Sequence, residues 1–303
     1  MPVFQSGLVH TPVTPFSREH RIDFELFGKL IDFHIGSGAD ALALPMHAGE
    51  SVSLSDSEKR QVFAFGVKQA NGRVPVIAHV SDAGTAIAAG LASDAEKAGA
   101  AAIVATTPYY WTPPPAMLLE HFAQIGAAVR LPFFVHNAPD EMITRLTTDN
   151  ALKLMARLGN FAGVVDSSLD WQFMIELIDE ARGVRPDFQL LSGTELMVSA
   201  AAIGATGMFA LLAGVAPKLV RQLYDCCRAD KLFEARPLQE DIAALRQLLK
   251  KADVAHLKAA MRAMGRDCGS PRPPLQALDA GAYDKLAGEL GAIAALRADA
   301  RGF

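Results

Sequence analysis

Gly163-Val164-Val165-Asp166-Ser167-Ser168 is a short apolar run that stops on an acid and two hydroxyls. Runs of the same form occupy 7–13, 41–46, 74–80, 101–106, 132–137, 162–167, 188–192 and 207–212. Several are apolar almost throughout, as parallel strands buried on both faces must be. Between them, apolar residues return at helical spacing: Phe24, Phe27, Leu30, Ile31 and His34, and later Leu152, Met155 and Leu158. Ser55 ahead of Asp56 and Glu58 is an N-cap signal, and Thr148-Asp149 opens another helix in the same way. Eight strands alternating with helices predict a TIM (β/α)8 barrel, an α/β fold, here with additional C-terminal helices. An open doubly wound sheet is the alternative, but no Gly-x-Gly-x-x-Gly follows the first strand run. The barrel core is assigned to 1–214. Residues 215–303 then supply the closing helix and a helical extension, interrupted at Ser270-Pro271-Arg272-Pro273-Pro274.

The 303 residues are enough for one such barrel, and 50% hydrophobic with 20% charged residues fits a sizeable core. A net charge of −4 with no basic stripe gives no reason to expect a nucleic-acid partner or an anionic membrane. No apolar stretch is long enough to span a bilayer, and the first residues lack the basic-then-apolar order of a signal peptide. Cys226, Cys227 and Cys268 form no framework spacing, which argues for a reducing, cytoplasmic setting.

Six patches, in order, resemble the dihydrodipicolinate synthase/N-acetylneuraminate lyase family of class I aldolase-type barrels. They are Val13-Thr14-Pro15-Phe16, His47-Ala48-Gly49-Glu50-Ser51, Thr107-Pro108-Tyr109-Tyr110, His136-Asn137-Ala138-Pro139, Gly163 to Ser168, and Leu191-Ser192-Gly193. Arg272-Pro273-Pro274 is similar to the family's C-terminal turn. The resemblance implies a site at the C-terminal ends of the strands and a homo-oligomer, dimer or tetramer. It also implies that Val165 stands where the family has its Schiff-base lysine. By the same correspondence Tyr110 matches a tyrosine that crosses a subunit interface into a proton relay, His136 the relay tyrosine and His47 the relay threonine. Ala48 matches a threonine that binds the pyruvate carboxylate, and Glu141 stands near an arginine that binds substrate in some members.

An isopropyl group cannot condense with a ketone, so the family's usual chemistry is not expected. Lys153, Lys218, Lys231 and Lys250-Lys251 fall on helices and are poor substitutes; Lys218, just after the eighth strand, is the least poor. Histidine gives and takes protons near neutral pH, so His136, His47 and Tyr110 are the expected catalytic groups, with His79 approaching the same mouth. Ala48, Val165, Ser167, Gly193 and Phe209 are the expected substrate-binding positions. A metal on these histidines with Asp166, Glu195 or Glu141 is disfavoured, because no short-spaced ligand motif is present and strand alternation turns Asp166 away from the axis. No cofactor is expected. His10, His20, His34, His121 and His256 are expected to be core or surface residues, and Glu50 to hold backbone amides. Trp111 with Pro113-Pro114-Pro115 makes a stiff aromatic loop suited to a subunit contact. The function expected is a lyase acting by acid–base chemistry on a small oxygenated carbon acid without an imine. The alternative is a catalytically silent barrel that binds a metabolite or a partner.

Overall fold

The computed structural model describes residue 4 and residues 6–139, 143–250, 253–299 and 301–303. Eight parallel strands close on themselves in chain order: β1 (Leu8–His10), β2 (Ala41–Leu44), β3 (Val76–His79), β4 (Ala102–Thr106), β5 (Phe133–Asn137), β6 (Phe161–Asp166), β7 (Gln189–Ser192) and β8 (Gly207–Ala210). The barrel shuts where Val9 pairs with Phe209. Each strand lies within, or one residue from, the segment expected for it; the ends are trimmed where the chain turns out of the ladder. The helices between strands are α1 (Phe24–Gly36), α2 (Asp56–Ala70), α3 (Thr85–Ala98), α4 (Pro115–Ala127), α5 (Thr148–Arg157), α6 (Trp171–Val184) and α7 (Met197–Ala202). After β8 come α8 (Pro217–Arg228), α9 (Leu232–Leu248), α10 (Val254–Ala263) and α11 (Ala280–Ala292). The proline-rich segment falls between α10 and α11, as expected.

Local chemistry explains the helix starts. Ser55 caps α2 with a full capping box: its hydroxyl accepts from Glu58 N, and the Glu58 carboxylate accepts from Ser55 N. The cap of α5 is Thr147, one residue before the expected opening, with its hydroxyl accepting from Asn150 N. The buried stripe of α5 is Ala151, Leu154, Met155 and Leu158, with Leu152 only half-buried. Met155 and Leu158 of the expected set are in that stripe and Leu152 lies at its edge, because spacing alone does not say which side of a helix meets the sheet.

Two apolar regions hold the barrel. One lies between strands and helices. The other fills the barrel interior with Val9, Ala41, Ile77, Val104, Phe134, Val165 and Leu191, with Phe4 laid edge-on against Phe134 at 5.5 Å. Along β6, Val164 joins the outer region and Val165 the inner one, the period-two alternation of a strand. Full burial of each such side chain contributes about 1.5–3 kcal/mol. The interior is therefore a packed plug rather than a pore.

Candidate active site

Alternation also builds the site. Two residues beyond each interior side chain, the chain emerges at the C-terminal end of the barrel: Val9 leads to Thr11, Ile77 to His79, Val104 to Thr106, Phe134 to His136, Val165 to Ser167 and Leu191 to Gly193. All six outer positions line a cavity of about 100 Å³. His47 and Ala48 enter from the loop after β2, and Phe209 and Leu211 from β8. His47, Ala48, His136, Ser167, Gly193 and Phe209 are thus brought together as expected.

Two expected residues are placed elsewhere. Val165 is fully buried in the layer beneath and is absent from the cavity wall, because an isopropyl group ends where a lysine side chain would continue upward. Tyr110 is 90% exposed, holds a left-handed backbone conformation (φ 72°) and packs edge-on against Trp111 rather than entering its own chain's cavity. Glu141 and Lys251 lie outside the described residues.

His136 is the central titratable group. Its Nε2 lies 2.9 Å from Ser167 Oγ, and its buried Nδ1 has no partner among the described residues. Burial, followed by the nearby His47 ring, pushes its pKa down to about 4, so it is a neutral imidazole at neutral pH. Gly193 keeps this pair open, since a Cβ there would overlap Ser167 Oγ. His79 is pushed down to about 3, chiefly by burial and then by His136. Ser81 Oγ accepts the Thr106 N–H at 2.7 Å and also lies 2.7 Å from His79 Nε2, which leaves His79 less free than His136.

Asp166 turns away from the axis. It accepts from Asn137 Nδ2 at 2.6 Å, while Asn137 Oδ1 holds Leu146 N. Glu195 is fully buried and engaged by Leu212 N at 2.8 Å and Arg246 at 2.6 Å. Among the described residues no group of three His, Cys, Asp or Glu could hold a metal ion. Among the same residues no lysine lines the cavity. Lys218 is exposed on α8, and the buried Lys59 and Lys258 face Asp82 at 3.5 Å and Glu50 at 2.6 Å.

Sequence reading missed Arg246. It reaches the cavity from α9, oriented by Glu195, and a charged residue on an extension helix carries no local signal of this. Glu50 does hold an amide, Arg272 N at 2.7 Å, and in addition forms the buried ion pair with Lys258. The remaining histidines are structural or exposed. His10 and His34 are fully buried with their Nδ1 atoms 3.0 Å apart, His121 meets Thr85 at 2.9 Å, His256 meets Asp253 at 2.9 Å, and His20 is exposed.

A closed parallel barrel with its cavity at the C-terminal strand ends defines a TIM-barrel protein. Residues 5–293 match the dihydrodipicolinate synthetase family, and the chain belongs to that family. It is 32% identical over 284 residues to a 4-hydroxy-tetrahydrodipicolinate synthase of Azoarcus sp. strain BH72, covering 93% of this chain and 96% of that protein. It is 30% identical over 265 residues to the Bacillus subtilis strain 168 enzyme of the same name, covering 87% and 90%. The crystal structure of dihydrodipicolinate synthase from Aquifex aeolicus superposes with a TM-score of 0.89 at 27% identity, over 94% of this chain and 97% of that one. No helix among the described residues is long and apolar enough to cross a membrane.

Proposed function

We propose that this protein is a lyase that works by proton transfer without an imine, on a small oxygenated carbon acid. The observation that carries this is the pairing of a neutral, half-buried His136 with Ser167 in a cavity that no lysine among the described residues lines. His136 takes the substrate proton. The electron pair left behind expels a hydroxide or breaks a carbon–carbon bond, and the imidazolium or the rim residue His47 returns a proton to the product. Arg246 offers N–H donors to oxygen where negative charge develops. The small cavity, about 100 Å³, suits a small substrate. Tyr110 completes the site from a neighbouring copy, so the working form is a homo-oligomer, a dimer or tetramer, in a reducing cytoplasm.

Incubation with pyruvate and borohydride is expected to leave the protein mass unchanged, and a stable lysine adduct would end the imine-free reading. Once a metabolite screen yields a turnover, His136→Phe is expected to lower kcat at least a hundredfold. Unaltered turnover would remove His136 from the mechanism. The silent-barrel alternative draws on the same lost lysine position, and stabilisation by a metabolite without product would favour it.

A further inference from the structure

A second cavity, about 340 Å³, opens on the side of the barrel mouth between the loop after β1, the outer face of α10 and the start of α11. Its charged lining is three cations, Arg18, Lys258 and Arg262, against one carboxylate, Asp267. Glu19, next to Arg18, is turned onto Ser17 Oγ at 2.9 Å and does not line the space. Arg18 has no side-chain partner among the described residues, and Arg262 meets Asp267 only at 3.6 Å. Ala255, Ala259 and Leu278 give an apolar floor, and the Arg262 guanidinium lies 4.6 Å over the Tyr283 ring, with which it makes a flat wall. Arg18, together with Arg262 in its long ion pair, above a flat apolar floor suits an anion attached to a planar body.

The base of this cleft is tied to the active-site mouth. Lys258 is only 3% exposed; its Nζ lies 4.4 Å over the Phe16 ring and 2.6 Å from Glu50 Oε1. Glu50 holds a left-handed conformation (φ 55°), costly for a residue with a Cβ, and it directly follows His47-Ala48-Gly49. Its side chain is held by Lys258 and the Arg272 N–H, its backbone by the Glu50 N–H on His47 O at 2.9 Å and the Ser53 N–H on Glu50 O at 2.8 Å, and Thr14 Oγ1 donates to Gly49 O at 2.7 Å. Arg272 also grips the His20 carbonyl, at 2.7 Å from one guanidinium nitrogen, so the cleft's own loop shares the clamp. An anion competing for Lys258 therefore weakens one of the contacts that holds the His47 loop in place.

We propose that this cleft is an effector site for a small organic anion, a carboxylate or phosphate on a flat apolar body, and that its occupancy reaches His47 through the Lys258–Glu50 pair. Benzoate and phenyl phosphate, with phenol as the uncharged control, are titrated calorimetrically into the full chain, while the His47 ring resonance is followed by NMR. At least one anion is expected to bind tenfold or more tightly than phenol; which of the two does so identifies the head group. Arg18→Ala/Arg262→Ala is expected to lose that binding tenfold or more, whereas Arg246→Gln, in the central cavity, is expected to retain it. The His47 resonance is expected to shift on binding, and to stay still at saturation in Lys258→Met/Glu50→Gln, which removes both charges so that neither is left buried alone. Absence of binding by both anions, binding unaffected by Arg18→Ala/Arg262→Ala, or binding lost in Arg246→Gln overturns the site. A His47 resonance that never moves, or that moves equally in the charge-free variant, overturns the coupling. None of these readouts needs turnover, so they stand apart from the proposed lyase reaction.

Discussion

Lys258 and Glu50 show what one buried pair does for this molecule. Their side chains are 3% and 1% exposed, and desolvation lowers the lysine's pKa while Glu50 pulls it back up. Deleting one partner leaves the other charged in an apolar setting, which costs about 3–5 kcal/mol. Lys258→Met is therefore expected to lose about that much stability in urea, and Lys258→Met/Glu50→Gln distinctly less. Equal losses in the two variants would show that Glu50 is held mainly by Arg272. At this scale the sequence marked Glu50 as a structural residue that holds an amide. Its lysine partner, more than two hundred residues away, left no local trace. Arg246 was hidden for the same reason, because a helix residue's neighbours depend on how that helix docks.

The loop between β4 and α4 belongs to the scale of elements. Tyr110 is 90% exposed, Trp111 59% and Met117, in the first turn of α4, 65%, so an aromatic and sulfur-bearing face stands in solvent in the isolated chain. Pro113, Pro114 and Pro115 stiffen the segment, which lowers the entropy lost when it docks. The chain is expected to run as a dimer or tetramer in light scattering, and Tyr110→Ala/Trp111→Ala to shift it toward monomer. A wild-type monomer at micromolar concentration would take Tyr110 out of the proposed relay. Elements were the most legible level. Buried parallel strands are nearly pure apolar runs, and the Ser55 capping box is written in adjacent letters. In the stripe of α5 only Leu152 fell outside the buried set, because the docking side of a helix is not written in its spacing.

Taken whole, the molecule buries four histidines and half-buries a fifth, His136, at the cavity. Burial lowers His10 and His79 to about 3, His121 and His136 to about 4, and His34 well below its ordinary value. In the unfolded chain each titrates near 6.5. Below that pH the unfolded state takes up protons that the folded state refuses, so stability is fully present above about 6.5 and is lost as pH falls toward 4. Each group adds a slope of about 1.4 kcal/mol per pH unit. Burial raises the Asp166 and Asp299 carboxyls, which act in the opposite sense but only near the carboxylate range. The melting temperature is expected to drop steadily between pH 7 and 4.5. A flat profile would show that these histidines are charged in the folded protein.

The barrel could be read from the sequence itself, because apolar runs become buried strands, while most of its mouth was expected from the family resemblance of the loops that follow them. That Val165 stands at the family's lysine position is what the resemblance of Gly163 to Ser168 implies, not what a strand repeat shows. Tertiary structure alone decided that Val165 lies under the cavity rather than on its wall, that Tyr110 leaves its own site, and that Arg246 and Lys258 arrive from distant helices. Those facts depend on side-chain length and on the docking of the extension against the barrel, and neither is encoded in a local repeat.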